Sequence, residues 1–122
     1  MEVLIVRHAI ACPRDAKRWP DDSERPLAAE GARRARRAAA GLKRIAGVPD
    51  VVLTSPLVRA RATAEILTQT ARWPQAVECE ALAPRGSLDG VLAALRRHDG
   101  KADCVAVVGH QAGRVGKSDG RD

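Results

Sequence analysis

The sequence predicts a three-layer α/β/α domain built on a largely parallel sheet, and three observations carry that prediction. Short continuous apolar runs, which read as strands buried on both faces, fall at residues 3–6, 51–53 and 104–108. Stretches of helical periodicity separate them, and buried strands alternating with amphipathic helices assemble into layered sheets. The third observation is compositional. Of 122 residues, 45% are hydrophobic and 30% charged, a globular balance, while Trp19 and Trp73 supply all the aromatic content, so the core is expected to be aliphatic. A chain of this length makes one small domain.

The elements follow in order. The first strand ends at Val6 and hands over to Arg7 and His8. Residues 13–26 are rich in proline and charge and read as a loop over the sheet edge. Next, Ala35, Ala38, Leu42 and Ile45 recur on one helical face, while Arg33, Arg34, Arg36, Arg37 and Lys43 occupy the rest. Gly47 and Pro49 end that helix. The second strand runs into Thr54 and Ser55. A second helix is expected to start at Ser55-Pro56, with serine as N-cap and proline at the first helical position, and to reach about Ala71 through Ala60, Thr63, Ala64 and Leu67. A further strand is expected after Trp73-Pro74. A third helix over 87–97 would turn Leu88, Val91, Leu92 and Leu95 inward, and the last strand leads to Gly109 and His110. Beyond, the sequence is small, polar and aperiodic, giving a domain over 1–111 and a disordered tail over 112–122.

Charge and cysteines narrow the function classes. Lys+Arg 21 against Asp+Glu 15 gives +6, which suits an anionic partner. Nucleic acid is not expected, because basic helix faces are usually solvated and no base-reading or base-stacking element accompanies this one. Cys12, Cys79 and Cys104 are odd in number, far apart and lack C-x-x-C spacing, so neither a disulfide framework nor a zinc site is indicated and a reducing cytoplasm fits. No apolar run approaches ~20 residues, so no membrane span is expected. The N-terminal apolar run is too short for a signal peptide.

Ligands of open parallel sheets bind at the carboxyl ends of the strands. That rule selects Arg7-His8, Thr54-Ser55 and Gly109-His110. An isolated Arg-His pair most often caps a strand, but His110 after a second strand alters the balance. Two histidines and two arginines at one sheet edge make a metal-free phosphate site, since arginine offers paired N–H donors and neutral imidazole attacks phosphorus. A metal held by His8, His110 and Cys12 is the competitor; no clustered carboxylate supports it, and adjacent arginines repel a cation, so no metal or cofactor is expected. Arg59 is the second arginine. In the helix that begins at Ser55 its side chain leans back toward a helix start that favours anions. The competing reading for Arg59 is a solvated helix residue, as for Arg61.

These residues resemble a family. Arg7-His8-Ala9, the segment 55–60 with Thr63-Ala64-Glu65, and Val108-Gly109-His110 resemble, in order and spacing, the histidine phosphatase, or phosphoglycerate mutase-like, superfamily. Asp22, Arg25-Pro26-Leu27 and Gly31 are similar to the D-x-x-R-P-L-T-x-x-G segment of its SixA-type phosphohistidine phosphatases. The resemblance implies that His8 is a nucleophile, phosphorylated and then released by water, with Arg7, Arg59 and His110 holding the phosphoryl oxygens and Arg25 as a fifth contact; Ser55 would help bind substrate. His8 must then be neutral at one ring nitrogen, with the other donating to a backbone carbonyl.

Three departures stand out. Ala9 replaces a frequent glycine, and Ala28 replaces a threonine whose hydroxyl could cap the following helix. Family members usually continue past the second histidine with a further helix and strand, so the resemblance implies a C-terminally shortened fold. Apolar surface at 3–6 and 104–108 is then expected to be uncovered, giving marginal stability or self-association.

For a general acid the candidates are Glu80 and Glu78, either of which also reads as a solvated strand-end charge. The substrate is expected to be a phosphorylated protein, releasing inorganic phosphate, because residues 67–81 and 84–104 leave too little chain for a lid and an imidazole leaving group needs little acid catalysis. A phosphatase for a small phosphate ester and an inactive phosphate-binding remnant remain as alternatives.

Overall fold

In a computed structural model, which describes residues 1–109, four parallel strands form one sheet. β1 (Glu2–Val6), β2 (Val51–Thr54), β3 (Val77–Glu78) and β4 (Cys104–Val108) lie in the order β1-β4-β2-β3. β4 is therefore interior, paired from Glu2↔Cys104 to Val6↔Val108 on one side and from Val51↔Val105 to Thr54↔Val108 on the other. The helices are α1 (Ala29–Ile45), α2 (Val58–Ala71) and α3 (Leu88–Arg96), with single 3-10 turns at Asp22–Glu24 and Glu80–Leu82.

Successive strand residues face opposite sides of a sheet. On one side Leu4, Val6, Val52, Ala106 and Val108 pack against α1 and α2 through Ala39, Ala64, Ile66 and Leu67, and Trp73 closes that layer. On the other, Leu53, Val105 and Val107 meet Leu82, Ala94 and Ala102, with Val91 and Leu95 of α3 against them. The expected three layers are present, with a core that is aliphatic apart from Trp73.

Four expectations need correction. Ile45 is 83% exposed and Ala38 is also outward, because the inward stripe of α1 steps through Gly31, Ala35, Ala39 and Leu42 and would next reach residue 46, which is already the exposed, extended cap. In α3, Leu88 and Leu92 face solvent while Val91, Ala94 and Leu95 face inward; two overlapping stripes fit one periodicity, and the sheet selects the one with alanine at closest approach. α2 begins at Val58 rather than at Ser55-Pro56. The Ser55 N–H stays committed to Val108 O at 2.9 Å, so Ser55 remains a strand-end residue whose Oγ accepts the Leu57 N–H at 3.2 Å. Finally, of the two strands expected to be uncovered, β1 alone is, with Val3 and Ile5 36% and 62% exposed. In β4, Val105 and Val107 are buried beneath Leu82, Ala94 and Ala102.

The loop over residues 13–26 is closed at its neck. Ala11 pairs antiparallel with Leu27, the Cys12 N–H donates to Pro26 O at 2.9 Å, and the Ala28 N–H donates to Ile10 O at 3.0 Å. Among the described residues no helix is long and apolar enough to cross a membrane. His110 and the expected tail lie outside the described residues.

Candidate active site

Backbone hydrogen bonds gather the carboxyl ends of three strands. The Gly109 N–H donates to Val6 O at 3.0 Å and the Ser55 N–H to Val108 O, so the segments after β1, β2 and β4 meet at one edge. Gly109 is needed there: a Cβ on it would stand 3.1 Å from Ser55 Cβ, tighter than most packed contacts. The three places selected by the strand-end rule thus converge as far as residue 109.

His8 is half-buried at this edge. Its Nδ1 lies 2.7 Å from Ala9 O, and since a carbonyl only accepts, Nδ1 carries the proton and Nε2 is the basic nitrogen. Ala9 is held in turn. Its N–H donates to Thr63 Oγ1 at 3.0 Å, and that hydroxyl donates to Arg59 O at 2.8 Å, tying the His8 turn to the first turn of α2. Burial is the main cause holding the His8 pKa below its ordinary 6.5; the Ala9 bond opposes it, and the guanidiniums of Arg59, Arg25 and Arg7 add to the lowering.

The arginines are placed differently. Arg7 is exposed and makes no hydrogen bond or ion pair among the described residues. Arg59, with a side chain only 5% exposed, donates through Nη1 to Asp22 O at 2.8 Å and through Nη2 to Asp22 Oδ2 at 3.1 Å. Arg25 donates through Nε to Asp22 Oδ1 at 2.8 Å, through Nη2 to Oδ2 at 3.4 Å, and through Nη1 to Cys12 O at 2.6 Å. The Arg25 bond, with the Arg59 and Arg25 charges, holds the Asp22 carboxyl below the usual carboxylate range. Arg7, His8, Arg25 and Arg59 are therefore brought together, with Ser55 buried behind them.

The two acid candidates part company. Glu78 forms an ion pair with Arg61 at 3.6 Å. Glu80 is exposed and borders a cleft of about 610 Å³ that it shares with Asp21, Asp22, Ser23 and Leu57. Among the described residues no group of three or more His, Cys, Asp or Glu is placed to hold a metal ion. Sequence reasoning gives Asp22 no role and Thr63 only a core-facing one; the three-residue step from Asp22 to Arg25 is the signal that marks an ion pair across one turn.

Residues 3–85 match the profile of the Histidine phosphatase superfamily (branch 1). The chain belongs to that superfamily. The matched stretch holds His8, Arg25, Ser55, Arg59 and Glu80. This histidine phosphatase is similar to the protein histidine phosphatase SixA solved with tungstate, at 31% identity and TM-score 0.80, over 94% of this chain and 74% of that one. Its likeness to the alpha-ribazole phosphatase of Shigella flexneri, at 18% identity, TM-score 0.65 and 90% and 74% coverage, is one of fold. An uncharacterised protein of Picosynechococcus sp. is 40% identical over 112 residues, 91% of this chain and 67% of that protein. The chain is a phosphatase of the SixA-type branch, shorter than SixA itself.

Proposed function

We propose that this phosphatase removes the phosphoryl group from phosphohistidine on a protein, through a phosphohistidine intermediate on His8. The observation that carries the reading is the Nδ1 bond to Ala9 O, which makes Nε2 the nucleophilic nitrogen in a setting of three guanidiniums. Nε2 attacks phosphorus in line as the bond to the substrate imidazole breaks; the departing nitrogen keeps the electron pair and takes a proton from solvent. Water then attacks the phosphoryl group on His8, the phosphorus–nitrogen bond breaks, and inorganic phosphate leaves with His8 neutral again. Arg7, Arg25, Arg59 and His110 meet the charge on the non-bridging oxygens.

Two points favour a protein substrate. The relative with 31% identity is a protein histidine phosphatase, and the net charge of +6 steers an acidic partner toward the site. Unpaired Cys12, Cys79 and Cys104 suit a reducing, cytoplasmic setting. A second reading, hydrolysis of a small phosphate ester, is favoured by Glu80 on the cleft beside Asp22, where it would protonate an alkoxide.

The test compares phosphate release from a phosphohistidine-bearing protein and from small sugar phosphates, with alkaline quenching to trap the enzyme. An acid-labile adduct on His8 and a higher kcat/KM for the protein are expected. An adduct on Cys12, or none during turnover, overturns the covalent route. A higher kcat/KM for the esters, lost in Glu80→Gln, establishes the second reading instead.

A further inference from the structure

Arg59 and Arg25 present an electrostatic problem that the phosphatase reading leaves unsolved. Their side chains are 5% and 12% exposed, each charge acts on the other, and both act on His8, so two poorly hydrated cations stand together before any substrate arrives. Placing such charges side by side is costly unless a counter-charge compensates them. Among the described residues, Asp22 is the carboxylate paired with either of them, and it is paired with both.

The contacts are divided in a specific way. Oδ1 takes Nε of Arg25, Oδ2 takes Nη2 of both arginines, and the backbone oxygen of Asp22 takes Nη1 of Arg59. Two elements distant in sequence, the 13–26 loop and α2, are thereby locked in one orientation. The carboxylate itself is 43% exposed, at the start of a 3-10 turn, and borders the cleft of about 610 Å³. That turn is firm. Asp21 accepts from Ser23 N at 3.0 Å and from Ser23 Oγ at 2.7 Å, and Arg25 grips Cys12 O across the loop neck.

We propose that Asp22 is the positioning residue of this site and also sets its affinity for phosphate. It aligns the two guanidiniums for the transition state, and by occupying part of the donor set with a negative charge it weakens ground-state binding of the phosphoryl dianion and of the phosphate product. The proposal rests on the phosphatase reading but not on which phosphorylated substrate is used. A carboxylate that serves turnover in this way opposes tight binding, because interactions strengthened only in the transition state raise kcat while uniform binding does not. Its loss therefore separates two quantities that a damaged site would move together.

The variant is Asp22→Asn, which keeps one side-chain acceptor oxygen for Arg25 and the backbone oxygen for Arg59 but exchanges the other carboxylate oxygen for an NH2 that only donates, and removes the charge. Binding of inorganic phosphate and of tungstate is measured by calorimetry on wild type and variant, alongside kcat and KM for an aryl phosphate and thermal unfolding of both. Tighter binding of both oxyanions, about tenfold, with kcat lowered about tenfold and KM also lowered, is expected. Unchanged or weaker oxyanion binding overturns the proposal, whatever happens to kcat. If Asp22→Asn loosens the fold, Asp22→Glu, which keeps the charge on a longer arm, separates the two effects: wild-type oxyanion affinity with reduced kcat supports the proposal, and tighter binding by Asp22→Glu overturns it. Failure of the phosphohistidine reading is seen separately, as a wild type that binds phosphate but does not turn over the phosphorylated protein.

Discussion

In the proposed mechanism His8 has to keep a lone pair, and its surroundings favour that. Its pKa lies below the ordinary 6.5, first through burial and then through Arg59, Arg25 and Arg7. The acid limb of kcat/KM is therefore expected below pH 6.5; a limb above it in a pH profile contradicts the arrangement. Stability follows with a definite sign. As pH falls through 6.5 the unfolded chain takes up a proton on His8 and the folded chain does not, so the His8 contribution is complete above 6.5, declines as pH drops, and levels off below the folded pKa. Denaturant midpoints across that range, compared between wild type and His8→Asn, isolate the effect. Arg59→Lys is a second expectation. Lysine keeps the charge but cannot hold the Asp22 oxygens in a fork, and losing a transition-state donor of this kind costs about 3 kcal/mol, roughly a hundredfold in kcat. Wild-type activity in the lysine variant would make Arg59 a bystander. Arg7 and His8 were legible in the sequence because a strand end announces itself. Asp22 was visible as the first residue of a motif, but its pairing with Arg59 was not, because a carboxylate in a charged loop looks solvated until the fold brings α2 beside it.

Among the elements, α1 shows how a motif glycine and a missing hydroxyl act on the same helix start. Ala28 stands at the N-cap with extended backbone and no side-chain cap bond. Ala28→Ser is expected to stabilise by about 1 kcal/mol, read as a higher urea midpoint, by satisfying one of the first-turn N–H groups. Gly31 lies where α1 meets the chain after β1: a Cβ there would come 2.1 Å from Ile10 O, which already accepts the Ala28 N–H. Gly31→Ala is thus expected to cost about 1–3 kcal/mol or more in the same measurement, since the obstacle is backbone and cannot rotate away. The strands were readable because continuous apolar runs of β-branched residues have few other uses. Helix faces and starts were less so. Periodicity allows two neighbouring stripes in α3, and the serine and proline before α2 look like a cap until the Ser55 N–H is seen to serve β4.

For the molecule as a whole, charge and exposed apolar surface pull in opposite directions. A net charge of +6 keeps copies apart, while Val3 and Ile5 offer an apolar strip on β1 at one end of the sheet. Concentration-dependent association is expected in sedimentation experiments at high salt, where repulsion is screened. Ile5→Lys should suppress it with little effect on stability, since the side chain is 62% exposed; association undiminished in that variant would place the contact elsewhere. Strand order carries another consequence, one of timing. β1 has β4 as its sheet partner, about a hundred residues downstream, and β4 also separates it from β2. During synthesis at ~5–20 residues per second, the first strand waits roughly 5–20 seconds, unpaired and apolar, for the strand that completes its ladder. The sheet that sets His8 beside Arg59 therefore cannot close until β4 has been made, so the order of synthesis leaves the site to be assembled last.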